Sequence, residues 1–247
     1  MNIAQYLDST YLKTPQQSGL SDQETLQKDK ELAQEAIDHG ILAVMIRPDY
    51  VAEIKEYIRE KEADVIVGTV IGFHEGTSSS EEKSAEASKA IAEGADELDF
   101  VINYPAYLNG DLHTVKEEFI KCTQLCVQHH KVAKWIIEIA ALTDEQIADL
   151  TQNISDWAEE NFSEDDLPKI FVKSSTGFYQ TEGGKPNGAT FEGVKIMLDH
   201  AGKLSVKAAG GVRTPEDAEK MISMGVKRIG TSSALALIKD ESASEGY

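Results

Sequence analysis

Two lysines, Lys173 and Lys207, have the sequence setting of a nucleophilic amine with a second cation beside it. Lys173 ends the apolar run 170–172 and is followed by the polar, glycine-ended segment 174–177. Lys207 ends the short strand-like run 204–206, and two alanines and two glycines follow it. We therefore expect each lysine at the carboxyl end of a buried strand. An amine in a pocket beside another cation has a lowered pKa, and its neutral form can attack a carbonyl carbon to give a Schiff base.

Two acidic residues strengthen this interpretation. Asp99 interrupts the apolar strand predicted over 97–102, and Glu138 lies near the end of the strand predicted over 132–139. Carboxylates beside the lysines can take and return protons, and together these groups make up the equipment of a Schiff-base aldolase. The alternatives are structural: strand-end lysines commonly extend into solvent, and Asp99 could simply pair with a lysine inside the fold. Nothing local fixes the role of Glu138.

Eight strand-then-helix units account for almost the whole chain. Predicted strands begin near residues 6, 41, 65, 97, 132, 169, 204 and 226, and a helical pattern follows each of them. Three helices open with a predicted capping box, formed by Ser21 with Glu24, Ser79 with Glu82, and Thr143 with Gln146. Eight units without a linker predict an α/β fold, a single-domain (β/α)8 TIM barrel over residues 1–247. The small, polar tail 240–247 is expected to be flexible.

Composition excludes several classes of partner. The net charge of −19 argues against binding to nucleic acid or to an anionic membrane. The N-terminus lacks the pattern of a signal peptide and no apolar run approaches a membrane span, so a cytoplasmic location is expected.

Cys122 and Cys126, four apart on a predicted helix, are interpreted as core or interface residues. The histidines are scattered along the chain, so we expect no metal site.

A barrel of this type carries its chemistry at the carboxyl ends of its strands. The polar residues predicted at those ends are Asp8, Asp99, Glu138, Lys173 and Lys207. Gly210 and Gly211 follow the seventh strand, and Ser232 and Ser233 follow the eighth, where such barrels commonly bind phosphate. We therefore expect a phosphate ester as substrate. The alternative is that the glycines only make tight turns.

Taken together, these residues resemble the deoxyribose-phosphate aldolases, which are lysine-dependent barrel aldolases. The resemblance runs nearly end to end and is carried by LDSTYL at 7–12, VKSSTG at 172–177 and VKAAGGVRT at 206–214. It implies reversible cleavage of 2-deoxy-D-ribose 5-phosphate to D-glyceraldehyde 3-phosphate and acetaldehyde, without a cofactor. A phosphorylated sugar is then the small-molecule partner, and a homodimer is compatible with the prediction.

The resemblance also implies roles for individual residues. Lys173 would be the Schiff-base lysine, Lys207 its neighbouring cation, and Asp99 the acid that relays protons. The final residue, Tyr247, would fold over the site and pass a proton, although a frayed end is the alternative interpretation. Substrate contacts are expected from Asp8, Glu138, Thr176, Gly177, Gly210, Gly211, Ser232 and Ser233, of which Gly211, Ser232 and Ser233 would hold the phosphate.

Several positions depart from the family pattern. Met45 stands where many members have a cysteine, His74 replaces a usual proline, and Ile139 replaces a usual threonine after Glu138. The segment 179–187 lengthens the loop after the reactive lysine. These changes concern the substrate pocket more than the mechanism. Two rival functions stay open at this point: a Schiff-base barrel aldolase for a different sugar phosphate, and a catalytically silent barrel that binds a sugar phosphate.

Overall fold

Eight short strands pair in chain order, and the last pairs back with the first, so they close a parallel barrel. The computed structural model describes residues 1–239. The strands are β1 Leu7–Thr10, β2 Ala43–Ile46, β3 Ile66–Ile71, β4 Glu97–Val101, β5 Val132–Ile136, β6 Ile170–Lys173, β7 Ser205–Ala209 and β8 Arg228–Thr231. The predicted (β/α)8 architecture is confirmed.

Helices connect the strands and surround the barrel. They are α1 Pro15–Ser18, α2 Asp22–His39, α3 Val51–Glu60, α4 Ser80–Ala92, α5 Tyr104–Leu108, α6 Leu112–Gln128, α7 Asp144–Asn161, α8 Phe191–His200, α9 Pro215–Met224 and α10 Ala234–Ile238. All three predicted capping boxes are present, at the starts of α2, α4 and α7. The short helices α1 and α5 were not predicted from the sequence. Over residues 1–239, no helix is long and apolar enough to cross a membrane.

Side chains on each strand alternate between two buried environments. On β6, Ile170 and Val172 belong to the large apolar core that includes the helices, whereas Phe171 and Lys173 point the other way, into the barrel. This double burial explains why the strands read as nearly continuous apolar runs. The charged residues within the strands stand at inward-facing positions. Cys122 and Cys126 are buried in the outer core, as predicted.

Two strand ends differ from the sequence-based prediction. Strand β7 continues past Lys207 to Ala209, so Lys207 lies within the strand and its side chain is fully buried. Strand β5 ends at Ile136, and Glu138 follows it with a left-handed backbone (φ 56°). Strand β6 does end at Lys173, as predicted. The tail 240–247 lies outside the described residues.

Candidate active site

Seven charged side chains, four cations and three carboxylates, meet inside the barrel. They are Lys134, Lys173, Lys207, Arg228, Asp8, Glu97 and Asp99, and all are buried. Pairing of parallel strands brings them together, because Lys173 lies opposite Lys207 and Asp99 lies opposite Lys134 in the ladder. The sequence predicted the meeting of Lys173, Lys207 and Asp99, and the structure brings those three into direct contact.

Asp99 is the hub of this cluster. Its Oδ2 accepts hydrogen bonds from Lys173 Nζ and from Lys207 Nζ, each at 2.8 Å. Its Oδ1 lies 3.1 Å from Lys134 Nζ. Burial alone would raise the pKa of Asp99, but the three ammonium groups together hold it well below its ordinary value. Asp99 is therefore a carboxylate at neutral pH.

A second set of contacts lies around Asp8. Its Oδ2 is 2.5 Å from Lys207 Nζ, and its Oδ1 accepts a 2.6 Å hydrogen bond from Arg228 Nε. Arg228 also donates two hydrogen bonds to Glu97, at 2.8 and 2.9 Å, in the forked geometry that guanidinium and carboxylate share. Glu97 is in turn 2.5 Å from Lys134 Nζ. Both oxygens of Asp8, which the sequence suggested as a substrate contact, thus already have partners.

Sequence reasoning missed Glu97, Lys134 and Arg228. A usable signal was present, because Glu97 and Lys134 stand in otherwise apolar strands, which is the feature that drew attention to Asp99. All three missed residues face the barrel interior, where a charge is stable only with partners. They belong to the same network of ion pairs as the two predicted lysines.

Exposure distinguishes the lysines of the cluster. The side chain of Lys173 is 5% exposed, whereas those of Lys134 and Lys207 are 0% exposed. Lys173 is therefore the amine that a substrate at the carboxyl end of the barrel can reach. Burial lowers the pKa of Lys207 to about 8, although Asp8 and Asp99 oppose this shift. The proton on Lys207 can consequently move at near-neutral pH.

Glu138 is joined to the loop that follows Lys173. Its Oε2 accepts hydrogen bonds from the Thr176 hydroxyl and from the Thr176 backbone N–H, the latter at 3.1 Å. The Thr176 hydroxyl in turn accepts from the backbone N–H of Phe178 at 3.0 Å. Burial raises the pKa of Glu138 to about 7, while Thr176 and Lys173 oppose the rise. Glu138 therefore holds and releases a proton near neutral pH.

The opposite wall of the barrel interior is apolar. Leu12, Met45 and Val70 form a buried cluster, and the partly buried rings of Phe73 and Phe178 pack against it. These two rings meet edge to face with centroids 5.1 Å apart. Met45, which replaces the frequent cysteine, fills the space beside Gly68, where a Cβ would lie 2.2 Å from its sulfur. The site thus has one charged wall and one apolar wall.

The predicted phosphate-binding segments lie side by side. The Gly210 backbone N–H donates to the Gly230 carbonyl at 3.2 Å, which ties the loop after β7 to β8. Gly211 has a φ of 77°, and a Cβ there would lie 2.5 Å from the Ala189 carbonyl oxygen, so only glycine fits. Ser233 lies just before α10, and its N–H donates to the Thr231 hydroxyl at 3.1 Å.

Two further predictions concern metal and the C-terminus. Across residues 1–239, no three His, Cys, Asp or Glu side chains converge in a way that could hold a metal ion. Tyr247 lies outside the described residues, so its predicted role stays a prediction. The charged side chains that meet in the barrel include amines and carboxyls, which suit carbonyl addition and proton transfer.

Comparison with known proteins agrees with this geometry. The chain matches the model of the DeoC/LacD family aldolases over residues 3–240. The deoxyribose-phosphate aldolase of Thermococcus gammatolerans is 39% identical over 240 residues, which cover 97% of this chain and 96% of the relative. That of Deinococcus radiodurans is 36% identical over 248 residues and is covered, like this chain, to 100%.

Solved structures show the same fold. The deoxyribose-phosphate aldolase of Aeropyrum pernix superimposes with a TM-score of 0.75 at 29% identity, covering 96% of this chain and 89% of that one. An aldolase named QR15 gives a TM-score of 0.79 at 30% identity, with 97% and 95% covered. The resemblance drawn from the sequence is confirmed by matches that span nearly the full length of both partners. The chain belongs to the DeoC/LacD family of aldolases.

Proposed function

We propose that this protein reversibly cleaves 2-deoxy-D-ribose 5-phosphate into D-glyceraldehyde 3-phosphate and acetaldehyde, with Lys173 as the Schiff-base residue. The observation that carries the proposal is the shared contact of Lys173 and Lys207 with one oxygen of Asp99, each at 2.8 Å. An amine in reach of substrate, with a second cation and a carboxylate fixed beside it, is suited to attack a carbonyl carbon. The names of the similar proteins from Thermococcus and Deinococcus support the substrate.

The reaction begins when the neutral amine of Lys173 adds to the aldehyde carbon of the open-chain sugar. Loss of water gives a protonated imine, which withdraws electrons as the C2–C3 bond breaks. The C3 hydroxyl loses its proton and becomes the aldehyde of D-glyceraldehyde 3-phosphate, while an enamine remains on Lys173. A proton then adds to the enamine carbon, and hydrolysis releases acetaldehyde and the free amine. The protonated imine is the electron sink, so the mechanism needs no cofactor.

Proton movements in this scheme involve Lys207 more directly than Asp99. Three ammonium groups hold the pKa of Asp99 so low that it has no proton to give at neutral pH. Lys207, whose pKa burial lowers to about 8, can release and regain a proton in the working range. We assign Asp99 to hold both lysines in place and Lys207 to exchange the proton. Glu138, with a pKa near 7, is a further proton carrier beside Thr176.

Trapping with borohydride tests the central assignment. Borohydride reduces the imine that acetaldehyde forms, so peptide mass analysis should find an ethyl group on Lys173, with activity lost in proportion. Lys173→Met should lower kcat/KM by at least about a thousandfold. An ethyl group on Lys207 instead, or on a surface lysine, would refute the assignment. A panel of sugar phosphates then identifies the preferred substrate. This second measurement is needed because an aldolase for another sugar phosphate would form the same Schiff base on Lys173.

We infer that the phosphate group lies against the loops after β7 and β8, at Gly210, Gly211, Ser232 and Ser233. The hydrogen bond from the Gly210 N–H to the Gly230 carbonyl holds the two loops side by side, and barrels of this type commonly bind phosphate at this position. A dephosphorylated substrate should lose much of kcat/KM. Ser232→Asp should reduce the preference for the phosphorylated over the dephosphorylated substrate, because the added carboxylate repels the phosphate. Equal use of both substrates by the unaltered enzyme would contradict a phosphate site at these loops.

Tyr247 is proposed, from the family resemblance alone, to pass a proton to or from the enamine carbon. Deletion of Tyr247 should then slow deuterium exchange at the methyl group of acetaldehyde much more than it weakens binding of the phosphate ester. Equal exchange rates with and without Tyr247 would remove it from the mechanism.

We also propose that the chain self-associates, since the Aeropyrum pernix relative is tetrameric. Light scattering would give the mass in solution, where a homodimer is the expected form.

A further inference from the structure

Lys134 lies one layer below the reactive lysine. In the strand ladder Lys134 stands opposite Asp99 and Phe171, whereas Lys173 stands opposite Ile136, two residues closer to the carboxyl end of the barrel. Inward-facing positions on a strand are two residues apart, so this offset is one full layer of side chains. Lys134 is fully buried and contacts charged groups on other strands, and a substrate at the mouth reaches Lys173 first.

The ammonium group of Lys134 has more carboxylate partners than that of Lys173. Lys134 Nζ lies 2.5 Å from Glu97, 3.1 Å from Asp99 and 3.5 Å from Asp8. Lys173 Nζ has one carboxylate within 4 Å among the described residues, Asp99. The three carboxylates raise the pKa of Lys134, so Lys134 is a fixed charge of the cluster, whereas a single carboxylate contacts Lys173.

The formal charges of the side chains inside the barrel show how far the cluster is from neutrality. The seven ionised side chains sum to one excess positive charge, since four cations face three carboxylates. Strands β2 and β3 contain no ionisable residue. Glu138 is a further ionisable group near Lys173. Among residues 1–239, Glu138 and Lys173 form no ion pair at 4 Å or less. Loss of one proton therefore brings the cluster to neutrality.

We propose that Lys134 is a positioning residue of the aldolase reaction, whose charge keeps Asp99 ionised between Lys173 and Lys207 and thereby sets the pH range in which Lys173 forms its imine. The inference rests on the proposed role of Lys173. Without Lys134, the negative charges of Asp99, Glu97 and Asp8 act on fewer cations, and Lys173 retains its proton to higher pH. Lys134 acts through Asp99 and does not touch the substrate.

The first test compares Lys134→Met with the matched variant Lys83→Met. Lys83 is equally buried, but its ammonium bonds to Glu118 on α6 and to the backbone carbonyls of Gly76 and Val101. The measurement is the pH at which borohydride and acetaldehyde ethylate Lys173 at half the maximal rate, with circular dichroism to show that each variant is folded. Lys134→Met should raise this midpoint by about one to two pH units, and Lys83→Met should leave it in place. Equal midpoints for Lys134→Met and wild type would overturn the proposal.

A second variant tests the sign of the effect and serves if Lys134→Met does not fold. Glu97→Gln preserves shape and removes a carboxylate that contacts Lys134 and Arg228 but not Lys173. The cluster then gains positive charge, so the midpoint should fall. An unchanged or raised midpoint would contradict the proposal. A purely structural role of Lys134 does not predict that Lys134→Met and Glu97→Gln shift the midpoint in opposite directions. If wild type yields no adduct, or one on another lysine, the proposed function itself fails; an adduct on Lys173 with fixed midpoints rejects only the role of Lys134.

Discussion

Two buried aspartates, Asp99 inside the barrel and Asp29 on α2, differ in their neighbours rather than in their burial. Their exposed fractions are 0% and 1%. Asp99 contacts three ammonium groups, whereas neither oxygen of Asp29 has a hydrogen-bond partner within residues 1–239. Burial raises the pKa of Asp29 to about 8, while the lysines hold that of Asp99 well below its ordinary value. At pH 7 one is a neutral acid and the other a carboxylate.

The difference shows what burial contributes to chemistry in this protein. Removal from water disfavours the charged form of both carboxyl groups to a comparable degree. Only the barrel interior supplies the cations that reverse this preference. A buried acid therefore becomes part of a reactive site when the fold surrounds it with amines, and becomes a pH-dependent cost to stability when it does not.

The largest expected contrast between the two aspartates is in turnover. Asp99→Asn should lower kcat by about 10²- to 10⁴-fold, because an amide keeps the shape of the side chain but no longer balances Lys173 and Lys207. Asp29→Asn, the matched change on an outer helix, should leave kcat within about twofold. Acetaldehyde release measures both. Similar losses in the two variants would mean that Asp99 acts through stability alone.

The effect of Asp29 should appear in stability rather than in turnover, and it should depend on pH. Since the folded protein raises the pKa of Asp29 from 3.8 to about 8, it binds this proton more tightly than the unfolded chain does. The free energy of unfolding should therefore fall as pH rises from about 4 to about 8. Asp29→Asn cannot ionise and should be more stable than wild type by about 2–4 kcal/mol at pH 9, with little difference at pH 3.5. Urea unfolding at the two pH values tests this, and a pH-independent difference would contradict it.

Lys207→Leu should weaken the compensation of Asp99 without disturbing the fold. The midpoint pH for imine formation on Lys173 is expected to rise by about one to two units, because one of the two cations at Asp99 Oδ2 is gone. Asp29→Asn serves as the control and should leave that midpoint unchanged. The measurement is the pH profile of borohydride trapping. A profile identical to wild type would argue against electrostatic tuning by Lys207.

Glu138 is the intermediate case, a buried acid with a hydroxyl and an N–H as partners. Its pKa is raised from 4.5 to about 7, so stability should decline between these pH values and level off above them. Glu138→Gln should remove this decline and gain about 1–3 kcal/mol over wild type at pH 8, less than Asp29→Asn gains at pH 9. A larger gain than that of Asp29→Asn would show that Thr176 is not the stabilising partner the structure indicates.

Much of this protein follows from local patterns in its sequence. Alternation of strand and helix signals predicted the barrel, and side chains three residues apart predicted the capping boxes of α2, α4 and α7. Lys173 was identifiable because a strand ends at it and a glycine-ended loop follows, both of which are features of adjacent residues. Such features are determined by the chain itself, since neighbours in sequence are neighbours in space.

Tertiary structure alone decided the balance of charge. Glu97 is 37 residues from Lys134, and Asp8 is 220 residues from Arg228, so no local pattern relates them. Asp29 lies in a helix of strongly polar sequence, and its burial depends on how α2 packs against the rest of the fold. Sequence thus determined which residues can carry chemistry, whereas barrel closure decided which charges meet, because Coulomb interactions depend on distance in space and on exclusion of water.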